Sequence, residues 1–467
     1  MANAGQLERL QGRLRISTVR PGLGSRCRLR VMSAACLMFA AAPMLAGSPR
    51  PTGTLLHELG TTRSVIDPKC NGGRGIVVPV PPSLLAAAPP AVATTVLDSG
   101  VALVVLSSAF PEGPYAVLHA FTGTCGPDRR FGHNGAERLA IGGRNFSILA
   151  AVPAQGGGAI LAGEAAGRWL VVRIGPLGRL DRGFGAGGYA VLPWQGEVSA
   201  VAQGPEGRVV LGGDIGVDNE EGLAEVSEAG RPVTSFGRGG QVPVQVNRDD
   251  SELSRVAFEG NGDVLALTLG GNMGVWGVTV SAFRPNGSLV PSFQENFAAA
   301  LGRAAPQVFV ADLVVRPDGF WLAGTRQAVP VISAASPTAS GEVVAFRADG
   351  SLNSSFGGRG QVFFPCPLGD PVWALPEQDG RALIVAETPA TQATANARER
   401  LDLVAISAHG TVAAGFEHGP SSWQLPFLQG AQPASDYPVN VASNGRAVVV
   451  VSSTADGKAL RLVELMA

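Results

Sequence analysis

A short phrase built around phenylalanine and glycine recurs along this chain of 467 residues. Clear copies occupy residues 128–135, 181–188, 234–240 and 353–360, and weaker copies occupy 291–294 and 414–419. A degenerate first copy at 67–73 carries Cys70 in the phenylalanine slot. The central positions are 70, 131, 184, 236, 293, 356 and 416, which lie 52 to 63 residues apart. Self-similarity at such a period indicates seven copies of one supersecondary unit.

Every unit has the same internal order of strands and turns. A short strand such as 241–246 follows the phrase, and an apolar strand such as 310–315 comes next. A tight turn then contains Asp-Gly or Asn-Gly, as at Asp318 and Gly319, before two further apolar strands. Such pairs supply the positive φ angles that two-residue hairpins need. Four antiparallel strands repeated radially predict an all-β fold, a seven-bladed β-propeller whose closure removes open sheet edges.

The recurring phenylalanines and glycines are predicted to be structural anchors rather than ligand-binding residues. We expect each Phe to pack between neighbouring blades. The adjacent Gly is expected to let the chain turn from the outer strand of one blade to the inner strand of the next. The anchors are Phe131, Gly132, Phe184, Gly185, Phe236, Gly237, Phe293, Phe356, Gly357 and Phe416.

The phrases resemble the delta-60 repeat family of bacterial proteins. That pattern looks like Leu-Asp-x-Ser-Phe-Gly-x-Gly-Gly-x-Val, followed by an apolar strand, Asp-Gly and a second apolar strand. Residues 352–362 match it most closely, residues 180–188 match it well, and the resemblance covers roughly residues 65–467. It implies an exported or surface-associated β-propeller and no common catalytic activity, so no functional residue is carried over. The copies at Cys70 and Phe293 depart from the pattern.

The first 46 residues have the order of a secretory signal. Residues 1–30 carry seven Arg and one Glu, and an apolar stretch covers residues 31–46. A positive region followed by about 15 apolar residues and then small residues is typical of cleaved signals. A buried or membrane-surface helix is the alternative. We therefore expect a signal peptide over 1–46, a linker over 47–66 and the propeller over 67–467.

Composition and charge exclude several classes of protein. At 45% apolar and 16% charged residues, the chain is too apolar for a disordered protein. No apolar run reaches the 18 or so residues of a membrane-spanning helix. Without residues 1–46 the chain has 29 basic and 36 acidic residues, which argues against nucleic-acid binding. We expect an exported monomer in the periplasm, outside the cell or on its surface.

Two cysteines form the most specific predicted pair. Cys70, Cys125 and Cys366 remain after signal removal, and an oxidising compartment favours one disulfide. Cys70 and Cys125 both lie in connections that precede a blade's first strand, one blade apart. We predict a disulfide between them that replaces the Phe contact missing from the first unit.

Motifs for catalysis and cofactor binding are scarce. The sequence has no Gly-x-Ser-x-Gly elbow, Walker loop or His-Glu-x-x-His, and no cofactor is expected. The acidic residues Asp214, Asp218, Glu220 and Glu221 form a candidate calcium site. Their spacing does not match the ligand pattern of an EF-hand loop, and a solvated acidic loop is the alternative. His133, His409 and His418 belong to or precede anchor phrases and are more simply solvated loop residues than metal ligands.

Two functions from different classes follow from these patterns. The first is a non-catalytic binding scaffold for a protein, peptide or glycan, because a propeller presents loops on a rigid frame. The alternative is a hydrolase or lyase whose site assembles at the mouth of the central channel from one residue per blade. Convergent carboxylate, His or Arg groups at that mouth would favour the enzyme, and small or apolar side chains would favour the scaffold.

Overall fold

The computed structural model describes most of the propeller region and none of the first 68 residues. The described residues are 69–71, 75–84, 90–108, 113–216, 220–244, 250–272, 275–304, 308–326, 340–365, 372–377, 380–388, 400–413, 421–424, 440–444, 448–453 and 459–465. The expected signal peptide (1–46), the linker (47–66), Cys366 and Phe416 lie outside these ranges. No helix in the described ranges is long and apolar enough to cross a membrane.

The described strands form seven antiparallel sheets, which are the blades. Blade 1 contains β2 (Ala91–Val96), β3 (Ala102–Ser107), β4 (Ala116–Phe121) and β5 (Ala136–Leu139). Blade 2 contains β6 (Phe146–Pro153), β7 (Ala159–Ala165), β8 (Arg168–Ile174) and β9 (Tyr189–Gln195). Blade 3 contains β10 (Val198–Gln203), β11 (Val209–Ile215), β12 (Glu220–Val226) and β13 (Gln241–Pro243).

The remaining blades repeat this arrangement. Blade 4 contains β14 (Asp250–Phe258), β15 (Val264–Asn272) and β16 (Val275–Phe283), followed by helix α1 (Pro291–Ala304). Blade 5 contains β17 (Val308–Arg316), β18 (Gly319–Arg326), β19 (Ser340–Arg347) and β20 (Gln361–Pro365). Blade 6 contains β21 (Val372–Pro376), β22 (Ala382–Thr388), β23 (Arg400–Ile406) and β24 (Ser421–Gln424). Blade 7 contains β25 (Asn440–Ser443), β26 (Val448–Ser453), β27 (Ala459–Leu465) and β1 (Ile76–Pro79).

The seven blades form a ring, and the predicted seven-bladed β-propeller is confirmed. The first strands of neighbouring blades contact one another, so they are innermost. Second strands are buried along most or all of their length, as in β3, β7 and β11, because the neighbouring blades cover both faces of each sheet. This burial explains why these strands read as continuous apolar runs rather than as alternating patterns.

The prediction about where the anchor phrase leads is wrong in one respect. The short strand after each phrase pairs with the strand before the phrase, as β13 pairs with β12 and β20 with β19. The phrase therefore joins the third strand to the outermost strand of the same blade, and does not lead into the inner strand of the next blade. Sequence alone did not reveal this because an inner strand and an outer strand both read as short apolar segments.

This strand order explains how the ring closes. The N-terminal strand β1 pairs with the C-terminal strand β27, from Ile76 opposite Leu462 to Pro79 opposite Ala459. The first strand of the described chain thus supplies the outermost strand of blade 7, and the two ends of the propeller meet within one sheet. Pairing of this kind holds the two chain ends together without a covalent link between them.

Blade 4 departs from the repeat because α1 stands where the other blades have a fourth strand. Phe293 and Phe297 are buried on one side of β16, among residues that include Val280. The side chain of Gln294 donates a hydrogen bond of 2.8 Å to Ser281, which lies on the opposite face of the same strand. The helix therefore covers the outer edge of β16, which would otherwise present unpaired backbone groups.

A repeated joint connects each anchor to the turn of the following blade. Phe131 of blade 1 is fully buried, and its ring lies where a side chain on Gly178 of blade 2 would stand. The N–H of Gly132 donates a hydrogen bond of 2.9 Å to the carbonyl of Leu177. Equivalent backbone bonds run from Gly185 to Ala229, from Gly237 to Asn286 and from Gly357 to His409.

The disulfide between Cys70 and Cys125 occupies this same joint between blades 7 and 1. Cys70 stands in the Phe position just before β1. Cys125 stands in the turn after β4, at the position of Gly178 in blade 2. The prediction that both cysteines precede a blade's first strand is therefore wrong, although the predicted pair is the one that forms. The φ of Cys125, 58°, lies in the left-handed region that the equivalent glycines adopt. A covalent bond thus replaces the Phe–Gly contact where the ring closes.

We expect Gly178→Ala to destabilise the protein more than Gly187→Ala. Both glycines have a φ near 80°, so alanine costs each about 1–2 kcal/mol of backbone strain. A Cβ on Gly178 would lie 2.6 Å from the ring of Phe131, whereas one on Gly187 meets nothing within 4 Å. The contact should add about 1–3 kcal/mol for Gly178 alone. Urea unfolding of both variants measures the difference, and equal losses would show that the joint tolerates a methyl group.

The closing joint should accept the repeat's own residues in place of the disulfide. Cys70→Ser with Cys125→Ser should lower the free energy of unfolding by about 3–4 kcal/mol, because a loop of this length is released. Cys70→Phe with Cys125→Gly should recover much of that loss by restoring the Phe–Gly contact. Unfolding with and without reductant measures both effects, and reductant should weaken only the wild type. A Phe/Gly variant no more stable than the Ser/Ser variant would contradict the equivalence.

Candidate functional site

The ring has two faces that differ in their connections. One face, here the turn face, carries the turns between first and second strands and the connections between third and fourth strands. The opposite face, the loop face, carries the second-to-third connections and the crossovers between blades. The longest connections of the loop face, residues 327–339, 389–399 and 425–439, join strands of blades 5 to 7. The first strands surround the axis of the ring, here called the central channel.

Four of the seven first strands are irregular near their loop-face ends. The register shifts between Ile148 and Ala150 in β6, between Val198 and Ala200 in β10, and between Leu253 and Arg255 in β14. A fourth shift lies in β17, between Val308 and Ala311. Bulges of this kind re-aim side chains and are common next to functional sites. The sequence carried no signal for them, because one extra residue does not disturb an apolar run.

The bulged serines bind backbone groups of their neighbours. The Ser199 hydroxyl donates to the carbonyl of Leu253 in the next blade over 2.6 Å, and the Ser254 hydroxyl donates to Leu267 over 3.4 Å. Ser199 therefore connects blades 3 and 4 at the level of the bulges. The proton of each hydroxyl is donated to a backbone carbonyl. In an activated nucleophile it would be donated to an adjacent general base.

A buried ion pair lies next to these serines. Arg255 and Asp312 are 5% and 4% exposed, and their side chains form a salt bridge between blades 4 and 5. Asp312 also accepts hydrogen bonds of 2.8 Å from the N–H groups of Leu313 and of Ala374 in blade 6. Burial raises the pKa of the Asp312 carboxyl, while Arg255 and the two amides oppose that shift. One carboxylate thus joins three consecutive blades at the channel.

Four of the other five first strands carry small or apolar residues at the same register position, and the fifth, β25, carries Asn440. Arg255 pairs with Leu267 and Asp312 with Ala323, and the equivalent residues are Ala93, Ala150, Ala200 and Trp373. All four are buried. At this level of the described channel, the charged groups are therefore engaged with each other, and the remaining positions offer no titratable side chain.

The residues singled out in the sequence do not converge on this channel. Phe131, Phe184, Phe236, Phe293 and Phe356 are buried in or beside the inter-blade joints. His133 and His409 are exposed on the turn face of blades 1 and 6, which are not neighbours. His418 lies outside the described residues.

The acidic cluster singled out as a candidate calcium site lies on the β11–β12 hairpin. There Asp214 is opposite Glu221, and Ile215 is opposite Glu220. Asp218 is not described. Within the described ranges, no three His, Cys, Asp or Glu side chains are placed to hold a metal ion.

A second unusual carboxylate lies at the turn-face end of the channel. Glu259, in the turn between β14 and β15, is 4% exposed, and neither carboxylate oxygen has a hydrogen-bond partner among the described residues. Burial first, and then the negative charges of Asp263 and Asp349, raise its pKa to about 7. Asp349 belongs to blade 5, so this repulsion acts across the joint between blades 4 and 5.

Comparison with known proteins adds no family. No family model matches the chain, and no curated protein is similar to it. Among solved structures it is similar to polysaccharide lyase Uly1, with a TM-score of 0.45, 8% identity, and coverage of 82% of this chain and 91% of that one.

Two further solved structures are similar at the same low level of identity. The tricorn protease gives a TM-score of 0.45 at 11% identity, and the match covers 83% of this chain and 34% of that one. A thermostable family-43 glycoside hydrolase gives a TM-score of 0.32 at 11% identity over 58% of this chain and 88% of that one. Likeness at this level carries no inference about what this chain binds or converts.

Glu259 should make stability depend on pH. In the folded protein the Glu259 carboxyl stays protonated up to about pH 7. In the unfolded chain its pKa lies near the ordinary value of 4.5. The folded state therefore binds more protons in this window, so stability falls as pH rises from about 4.5 to about 7. Glu259→Gln should flatten this dependence and add about 1–3 kcal/mol at pH 8. The exposed Glu206→Gln, in the equivalent turn of blade 3, is the control. A pH profile unchanged by Glu259→Gln would refute the assignment.

Proposed function

We propose that this protein is an exported binding scaffold that presents its loop face to a protein, peptide or glycan ligand. The observation that carries the proposal is the pairing of the buried charged groups in the channel. At the level of the bulges its described charged groups, Arg255 and Asp312, are buried and bonded to each other, and Asp312 also accepts from two backbone amides. Groups held in this way stabilise the ring, and at this level no described acid, base or nucleophile is poised for a substrate.

The uneven lengths of the connections support the loop face as the binding surface. The second-to-third connections are short in blades 2 and 4 and reach 13 and 11 residues in blades 5 and 6, at 327–339 and 389–399. The crossover from blade 6 to blade 7, residues 425–439, is longer still. Long connections on a rigid frame are where binding proteins carry their specificity. We propose that blades 5 to 7 supply most of the ligand contacts.

Export and membership of the delta-60 repeat family are part of the same proposal. Support for export comes from the order of charge and apolarity over residues 1–46 and from the disulfide, since disulfides persist in oxidising compartments. Support for the family comes from the phrases at 180–188 and 352–362. A propeller hydrolase or lyase remains the alternative, and it requires catalytic groups outside the described channel level.

Shortening the long connections should abolish capture of partners. A variant with residues 328–338 and 390–398 each replaced by Asn-Gly should lose the proteins or glycans that the wild type captures from an envelope extract, because the contacting segments are gone. A Gly-Ser insertion between Gly156 and Gly157, on the turn face, is the matched control and should capture normally. Turnover of a glycoside or peptide substrate by the wild type, with no captured partner, would reverse the proposal in favour of the enzyme.

A further inference from the structure

The outer part of the turn face is strongly basic, although the protein as a whole is acidic. This outer rim consists of the described connections that follow the third strands, residues 122–135, 175–188, 227–240, 284–290, 348–360 and 407–413, together with Arg347 at the end of β19. It contains nine arginines and four acidic residues. The arginines, all exposed, are Arg129, Arg130, Arg179, Arg182, Arg231, Arg238, Arg284, Arg347 and Arg359. Because residues 47–467 carry more acidic than basic groups, the positive charge is concentrated on this rim.

The inter-blade joints bring these arginines together in sets. The Gly185–Ala229 hydrogen bond of 2.8 Å places the segment of Arg182 beside the turn of Arg231. The Gly237–Asn286 bond of 2.7 Å places the segment of Arg238 beside the turn of Arg284. The joint that fixes the propeller therefore also fixes an arc of guanidinium groups along one side of it.

Most of these guanidinium groups have no hydrogen-bond or ion-pair partner among the described residues. Arg130 pairs with Asp128, and Arg347 donates to the carbonyl of Leu352. By contrast, six side chains have no hydrogen-bond or ion-pair partner within the described residues: Arg129, Arg179, Arg182, Arg231, Arg238 and Arg359. The planar fork of an arginine matches the two oxygens of a phosphate, so unpaired arginines in a row favour a polyanionic partner.

Two exposed leucines distinguish the kind of polyanion. Leu177 is 53% exposed in the same turn as Arg179, and Leu289 is 40% exposed just after the turn of Arg284. They are two of the four large apolar side chains that are exposed in the described structure. A soluble acidic polysaccharide is bound chiefly through its charged groups and does not require apolar side chains beside the arginines. At a lipid surface, by contrast, leucines enter the boundary of the acyl chains while arginines bind headgroup phosphates.

We propose that the outer rim of the turn face docks this protein on an anionic lipid surface. The arginines of blades 1 to 5 bind lipid phosphates, and Leu177 and Leu289 enter the interface. Charge on the far side of the ring is screened, because the Debye length is only about 8–10 Å at physiological salt. The net negative charge of the protein therefore does not prevent this face from binding. The loop face points away from the lipid.

Vesicle sedimentation tests the proposal with the purified chain. Vesicles of phosphatidylcholine with about 30% phosphatidylglycerol should bind the protein, pure phosphatidylcholine vesicles should not, and salt should weaken binding. Arg179→Gln with Arg231→Gln should weaken binding about 30-fold, at about fivefold for each arginine. The matched control is Arg144→Gln with Arg168→Gln, two exposed arginines on the loop face, which should change binding less than about twofold. Circular dichroism should show that both variants are folded.

The leucines separate a lipid partner from a soluble polyanion. Leu177→Ser with Leu289→Ser should weaken vesicle binding about tenfold or more and leave its salt dependence intact. Equal binding by the two double arginine variants would overturn the proposal. So would retention of the protein by heparin or polygalacturonate without binding to the anionic vesicles, because the rim would then recognise a polysaccharide. Loss of partner capture at the loop face would leave the lipid result unaffected, so the two proposals fail separately.

Discussion

The structure depends on the contact between the anchor of one blade and the turn of the next. Hydrogen bonds within a sheet hold each blade together, but only contacts between blades hold the ring. At four joints a backbone N–H of one blade donates to a carbonyl of its neighbour. A phenylalanine ring lies where a side chain would stand on Gly178, Gly230, Gly350 and Gly410. A side chain at Gly178 or Gly230 would displace that ring. The glycine pattern is thus a requirement of packing between blades as well as of turn geometry.

The point of ring closure shows what the joint must supply. Six joints lie between blades that are consecutive in sequence. Blade 7, by contrast, is completed only when the N-terminal strand β1 pairs with β27. Cys70 and Cys125 then take the positions of the Phe and the Gly at the joint between blades 7 and 1. A covalent bond between β1 and blade 1 fixes the strand on which the C-terminal hairpins must dock. The disulfide therefore stands where the ring closes.

The fold could be predicted from sequence because its period is carried by residues with a local effect. Phe, Gly and Asp-Gly mark turns, and apolar runs between them mark strands. The assignment of the short strand after the phrase failed, since pairing partners are not encoded locally and β13 or β20 could join either neighbouring blade. The bulges of β10 and β14, the helix that replaces a strand in blade 4, and the Arg255–Asp312 pair were also invisible. The bulges arise from one inserted residue, and the ion pair joins residues 57 positions apart.

The same joint constrains one face of the molecule and not the other. On the turn face, the third-to-fourth connections of blades 1, 2, 3 and 5 are uniform at 13 or 14 residues, because each of them packs against the neighbouring blade, and they carry exposed side chains such as Arg182 and Arg238. The loop face has no such constraint, and its second-to-third connections range from two residues in blade 2 to 13 in blade 5. A rigid face with a fixed pattern of charge suits an extended, repetitive surface such as a lipid bilayer. A face with variable loops suits a particular ligand, and a scaffold held on a membrane by the first would present the second outward.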